Sequence, residues 1–290
     1  MILLLGATGY VGQKFHQRLV EQSIEHRCLS RRDYDYTNGS ILIEAIQETQ
    51  ATFLINAAGY TGKPNVDACE LHKPECLDGN SVLPGTIRNA CETVGIPWGH
   101  VSSGCIYTGS KPDGTGFTED DEPNFCFRTN HCSWYSGTKA LGEEVLDGAT
   151  ANYIWRLRIP FDHVDGPRNY LSKLTRYERL LEANNSICHL GEFVDACLEC
   201  WAKEVPFGTY NVTNTGSITT GEITRLIQKH LMPNQQFNFF ESEDEFMRLA
   251  AITPRSNCVM NNDKLLATGI KMSHVDDAIT SSLKNWVPNS

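Results

Sequence analysis

Ile2-Leu3-Leu4-Leu5-Gly6-Ala7-Thr8-Gly9-Tyr10-Val11-Gly12 decides the fold. Four apolar residues in a row fit a strand buried on both faces, as in a parallel sheet. Glycines follow at 6, 9 and 12, and an amphipathic helical pattern runs from about Tyr10 to Gln22. A glycine-rich turn between strand and helix lets a pyrophosphate come close to the backbone. The helix N-terminus then offers it free N–H groups and the positive end of a dipole. The spacing is G-x-x-G-x-x-G rather than G-x-G-x-x-G. Its position directly between strand and helix makes it specific for a dinucleotide. Gly6, Thr8, Gly9, Tyr10, Val11 and Gly12 are the expected contacts.

Working outward, apolar runs predict strands at 26–30, 52–56, up to 103, and 153–158. Helices are expected at about 84–94 and 135–146, and around the Cys197-Leu198-Glu199-Cys200 stretch. Strands alternating with helices imply an α/β fold, a Rossmann-type doubly wound parallel sheet. After Pro160 the pattern becomes basic and irregular up to 185. The chain is expected back in the sheet near 187–190 and 208–213. These shifts predict a dinucleotide-binding domain of residues 1–160 plus about 186–215. A smaller C-terminal lobe takes about 161–185 plus 216–290. The second strand ends in Ser30-Arg31-Arg32, where an acid would select NAD. Arginine forks match a 2′-phosphate, so Arg31 and Arg32 favour NADP(H). Asn56, Ala57, Ala58 and Ile159, at later strand ends, with Tyr135 and Lys139, complete the expected cofactor set.

The 290 residues are 40% hydrophobic and 21% charged, enough for a large folded core rather than a disordered chain. The formal net charge of −10 argues against nucleic acid as a partner. Eleven cysteines in no small-scaffold pattern suit a reduced, cytoplasmic protein. Cys197 and Cys200 lack a second pair, so they read as half-buried helix cysteines rather than a zinc site. The nine histidines form no metal-like cluster in the sequence, and no metal is expected. The first apolar run is too short for a signal peptide or a membrane span, so no membrane partner is expected.

Tyr135-Ser136-Gly137-Thr138-Lys139 sets a tyrosine and a lysine four apart on one helix face. An ammonium beside a phenol lowers its pKa, and the phenol then exchanges a proton with a substrate oxygen. Ser103, at a strand end, is placed to hydrogen-bond a reacting carbonyl.

This ordered set resembles the extended short-chain dehydrogenase/reductase family over nearly the whole chain. The resemblance implies hydride transfer at C4 of a nucleotide-linked sugar. Ser103, Tyr135 and Lys139 match the catalytic positions. A narrower resemblance rests on Asn56-Ala57-Ala58-Gly59-Tyr60-Thr61-Gly62-Lys63-Pro64-Asn65-Val66-Asp67 and Gly104-Cys105-Ile106-Tyr107. It rests also on Tyr135-Ser136-Gly137-Thr138-Lys139-Ala140, Gly166-Pro167-Arg168-Asn169-Tyr170 and Pro254-Arg255-Ser256-Asn257. These look like the bifunctional UDP-4-keto-6-deoxyglucose 3,5-epimerase/4-reductases of UDP-rhamnose synthesis, although Tyr60 and Tyr107 replace smaller or less polar residues.

The narrower resemblance implies conversion of UDP-4-keto-6-deoxy-D-glucose to UDP-L-rhamnose with NADPH. Exchanging protons at C3 and C5 needs a base, an acid and a group that stabilises the enolate oxygen. In the related GDP-fucose synthases, a cysteine two residues after the catalytic serine takes part. Cys105 stands two residues after Ser103. The partner there is a histidine; the matching segment here offers Lys173. A lysine that is partly desolvated and near another cation titrates closer to neutrality. Which of Cys105 and Lys173 is base and which acid stays open. Cys105 as a core residue, and Lys173 as a diphosphate contact, are the plainer alternatives. Thr61, Ser103, Gly104, Asn169, Lys173, Arg176, Arg255 and Asn257 are the implied substrate contacts, and a homodimer is usual for the family. The competing functions are a dTDP-4-dehydrorhamnose reductase without epimerase activity and a non-catalytic regulatory subunit on the same fold.

Overall fold

The computed structural model describes residues 1–129 and 131–289. Its centre is a parallel sheet of six strands: β1 (Ile2–Leu5), β2 (His26–Leu29), β3 (Phe53–Asn56), β4 (Trp98–Ser103), β5 (Asn152–Leu157) and β6 (Gly208–Val212). Their order is β6-β5-β4-β3-β1-β2. The main helices are α1 (Tyr10–Glu21), α2 (Gly39–Thr49), α3 (Leu83–Val94), α4 (Trp134–Val145), α5 (Tyr170–Arg176), α6 (Leu190–Ala202), α7 (Thr220–His230) and α8 (Val275–Lys284).

Period-two alternation explains the two layers of core. Ile2 and Leu4 pack with Phe15 and Leu19 of α1 and Phe193 of α6. Leu3 and Leu5 face the other way, onto Leu42 and Ile46 of α2 and Ile87 of α3. Leu3, Leu4 and Leu5 are fully buried, and each contributes about 2 kcal/mol of hydrophobic stabilisation. This is the doubly wound Rossmann-type sheet that the first twelve residues predict.

The chain leaves the sheet after Leu157 and turns at Ile159, where φ is +35°. Segment 187–190 therefore does not rejoin the main sheet. Cys188–His189 pairs instead with Pro160–Phe161. Residues 161–185 contain α5, capped by Asn169, whose side chain accepts from the Leu171 N–H. A third hydrophobic cluster joins Phe161, Leu171, Leu180 and Ile187 to Ile223 of α7 and Ile279 of α8. Leu265, Ile270 and Met272, which the sequence assigns to the smaller lobe, pack against the first core cluster with Trp155. Cys197 and Cys200 are fully buried in α6 rather than half-buried.

The helix expected from about 84 begins earlier. Helical segments Ala68–Leu71 and Lys73–Leu77 lead through a π-turn, Asp78–Val82, into α3. Asn80 in that turn is fully buried. Its Nδ2 donates to the Tyr60 carbonyl at 2.9 Å and to Thr138 Oγ1 at 3.2 Å, and its Oδ1 accepts from the Tyr60 N–H at 2.9 Å. One amide thus fixes the loop after β3 against the helix that carries Tyr135 and Lys139.

Candidate active site

A cleft of about 1650 Å³ collects residues from the C-terminal ends of the strands. A site for one small molecule occupies about 300–1,000 Å³, so this one has room for two ligands side by side.

The phosphate loop forms one end. Gly6 has φ +79°, and a Cβ there would lie 2.5 Å from the Ala58 nitrogen. A Cβ on Gly12 would lie 2.0 Å from the Gly6 oxygen. Internal packing therefore dictates these two glycines. Gly9 is different: it N-caps α1, with no side-chain cap and no acid in the first turn. That bare, positive helix end fits a pyrophosphate. Thr8, Gly9, Tyr10 and Val11 line the cleft. The Tyr10 hydroxyl is buried with no hydrogen-bond partner among the described residues. Arg31 also lines the cleft, but Arg32 does not. Arg32 is exposed, and its amide turns back to Ser30 Oγ at 3.1 Å. The expected arginine pair reduces to one. Ala57, Ala58 and Ile159 line the cleft. Asn56 lies beneath it: its Oδ1 accepts from the Ala58 N–H at 3.0 Å, and its Nδ2 donates to His100 Nδ1 at 2.9 Å.

Ser103, Cys105, Tyr135 and Lys139 line the middle of the cleft together. Ser133 caps α4 by accepting from the Ser136 N–H, which sets the start of the helix and hence which face carries Tyr135 and Lys139. Burial pushes the Tyr135 phenol above its ordinary pKa, with Cys105 and then Cys69 and Cys76 adding, while the neighbouring Ser103 hydroxyl pulls it down. The lowering expected from Lys139 is not what the structure gives. Lys139 is itself buried, which brings it down to about 8, and its Nζ donates to the Val101 carbonyl at 3.3 Å. His100 is held well below its ordinary value by burial, then by Lys139. A raised phenol stays protonated at neutral pH, as a proton donor must.

Cys105 sits in a 3₁₀ turn, Gly104–Ile106, that follows β4. Its Sγ accepts from Arg158 Nη1 at 3.0 Å. Arg158 is 2% exposed. Its Nη2 donates to Asn185 Oδ1 at 2.6 Å and to the Ser256 carbonyl, and its Nε has no partner among the described residues. Two residues earlier, Arg156 is paired with Glu143 at 2.8 Å. Arg158 forms no salt bridge with a carboxylate among the described residues; its guanidinium faces a thiol instead. Sequence reasoning missed it. The available signal was Arg156-Leu157-Arg158: two charges on one face of a strand that must be buried on both sides.

Lys173, on α5, lines the cleft. Burial lowers its pKa, and Arg168 adds to this, the direction the sequence predicts. Thr61, Arg255 and Asn257 line it as well. Arg255 is held by Asp67 through two 2.7 Å hydrogen bonds.

Three expected contacts lie elsewhere. Asn169 is fully buried, with Nδ2 donating to the carbonyls of Asp162 (2.7 Å) and Val164 (2.8 Å). Helix capping has taken its side chain. Arg176 is not in the cleft lining; it is paired at 2.7 Å with Asp165, which is. Gly104 faces inward, where a Cβ would lie 2.2 Å from Met260 Sδ.

The sequence profile described as "RmlD substrate binding domain" matches residues 1–287. The chain belongs to this family. RmlD-family relatives include a bifunctional dTDP-4-dehydrorhamnose 3,5-epimerase/dTDP-4-dehydrorhamnose reductase of Arabidopsis thaliana, 32% identical over 91% of this chain and 85% of that protein. A trifunctional UDP-glucose 4,6-dehydratase/UDP-4-keto-6-deoxy-D-glucose 3,5-epimerase/UDP-4-keto-L-rhamnose-reductase of the same plant is 33% identical over 91% of this chain. The match spans only 38% of that longer protein. Among solved structures, the L780 UDP-rhamnose synthase of Acanthamoeba polyphaga mimivirus superposes with a TM-score of 0.90, at 24% identity over 98% of both chains. That likeness establishes the fold. No helix among the described residues is long and apolar enough to cross a membrane.

Proposed function

We propose that this RmlD-family chain is a bifunctional 3,5-epimerase/4-keto-reductase that converts UDP-4-keto-6-deoxy-D-glucose to UDP-L-rhamnose with NADPH. One observation carries the reading. Cys105 against a buried guanidinium, and Lys173 with a lowered pKa, line the same cleft as Ser103, Tyr135 and Lys139. The curated plant relatives support it by the activities in their names.

Thr8, Gly9, Tyr10 and Val11 would hold the pyrophosphate of the nucleotide cofactor, and Arg31 would meet its 2′-phosphate. When bound, it supplies a hydride for C4 of the sugar. The hydrogens at C3 and C5 are acidified by the C4 ketone. Cys105 and Lys173 exchange these protons, one as base and the other as acid. Ser103 and Tyr135 donate hydrogen bonds to O4, where enolate charge develops. In the reduction, Tyr135 gives its proton to O4, and Lys139 orients the cofactor ribose. Arg255, fixed by Asp67, and Asn257 hold the nucleotide diphosphate. The sheet with α1 and α6 forms the cofactor domain, and the cluster around α5, α7 and α8 forms the sugar lobe. A reducing, cytoplasmic setting suits the eleven free thiols, and a homodimer completes the reading.

The test is product analysis. Incubation with the UDP-linked keto sugar and NADPH should yield UDP-L-rhamnose. In deuterated water without NADPH, C3 and C5 should take up deuterium, and Cys105→Ala should abolish this. No rhamnose from the unepimerised ketone would leave a plain reductase. NADPH oxidation indifferent to any sugar would leave a non-catalytic subunit.

A further inference from the structure

Away from the cleft, three metal-ligating side chains meet between α1 and the edge strand β2. Nδ1 of His16, on α1, lies 2.9 Å from Nε2 of His26 and 3.4 Å from Sγ of Cys28. His26 and Cys28 are two apart on β2, so they share one face of the strand. The three donor atoms all lie within 4.8 Å of one another. We propose that His16, His26 and Cys28 form a binding site for a divalent ion of the zinc class, with water as the fourth ligand, fastening α1 to the edge of the sheet.

The spacing suits a tetrahedral ion. Zinc–nitrogen bonds of about 2.0–2.1 Å and zinc–sulfur bonds of about 2.3 Å put such donors roughly 3.4–3.6 Å apart. Only small side-chain shifts separate the present arrangement from that one. The second shell is in place too. His26 Nδ1 lies 2.8 Å from the Ile24 carbonyl. A carbonyl only accepts, so Nδ1 carries the proton and Nε2 presents its lone pair on the side of His16. A backbone carbonyl behind the far ring nitrogen is the usual support of a metal-bound imidazole. Two imidazoles and a thiol, with no carboxylate, select zinc over magnesium or calcium. His16 and Cys28 are exposed, so an ion can enter from solvent.

A second cluster lacks this character. Asp162, His163 and His189 also converge, but the Lys14 ammonium already sits 2.6 Å from Asp162 and supplies the positive charge there.

The experiment uses untagged, reduced full-length protein freed of metal with a chelator and titrated with Co²⁺. One equivalent should produce a thiolate-to-cobalt charge-transfer band and the visible bands of four-coordinate cobalt, both bleached by Zn²⁺. Cys28→Ser should lose the charge-transfer band. His16→Gln and His26→Gln should each weaken binding about tenfold or more. All three variants should bind NADPH as the unmodified protein does. The proposal is overturned if no thiolate band forms at stoichiometric cobalt, or if Cys28→Ser retains it, which would assign the ion to another thiol.

Discussion

The two ends of the cleft are built on opposite principles. The phosphate end is made by missing side chains: Gly6 and Gly12 have no room for a Cβ, and Gly9 leaves a helix end bare. The end proposed to take the sugar is made by charges brought from distant segments. Arg158 reaches Cys105 and Ser256, Lys173 comes from α5, and Arg255 is anchored by Asp67. The first is a local device contained within a dozen residues. The second exists only after the chain has folded. Shape errors should therefore damage the first end, and charge errors the second.

The largest effect that would break this contrast lies between the two ends. Tyr135→Phe keeps the packing and removes the acidic proton, so NADPH turnover with the keto sugar should fall about 100- to 10,000-fold. Unchanged steady-state turnover would remove Tyr135 from the chemistry. Next comes Arg158→Met. Losing a charged hydrogen bond worth roughly 1.5–3 kcal/mol should slow deuterium uptake at C3 and C5 by about 10- to 100-fold. Reduction of ready-made UDP-4-keto-L-rhamnose should change much less. Equal losses in both assays would make Arg158 a structural residue only. At the phosphate end, Arg31→Ala should shrink the preference for NADPH over NADH by about tenfold, consistent with one exposed charged contact. Arg32→Ala should leave that preference nearly unchanged, and equal effects in kcat/KM would restore the arginine pair. Asn169→Ala is the mildest for turnover. Losing the cap and the buried partners of the Asp162 and Val164 carbonyls should cost about 2–4 kcal/mol in denaturant melts, with KM for the sugar nucleotide unmoved.

What could be read from the sequence follows the same division. The glycine loop, the alternating strands and the Tyr135–Lys139 pair each depend on neighbours a few residues away, and all stand where the sequence puts them. Lys173, too, lines the cleft with its pKa lowered as predicted. Arg32 is expected from its place at the end of the second strand, and Asn169, Arg176 and Gly104 from the resemblance, but the structure puts none of them in the cleft lining. Arg32 is exposed to solvent, α5 takes Asn169 as a cap, Asp165 takes Arg176, and Met260 closes over Gly104. Segment 187–190 has the apolar character of a core strand, but the chain has already left the sheet at Ile159. Burial reverses the expected direction at Tyr135, and the neighbouring Cys105 adds to it, while Lys139 is itself desolvated. The histidine–cysteine trio draws on a helix and a neighbouring strand, so its members gain their relation only from tertiary packing.

Ile159 bears on how freely this chain can be rewritten. A β-branched residue with positive φ costs about 1–3 kcal/mol, and here it sits between Arg158 of the sugar end and Pro160. Glycine and asparagine adopt that backbone more easily. In a saturation scan scored by thermal stability, position 159 should invert the pattern of β5 just before it. Glycine and asparagine should be among the best residues at 159 and among the worst at Ile154 or Leu157. The chain carries a poor backbone choice where the side chain lines the cleft, so variants that stabilise this position should be searched for loss of turnover.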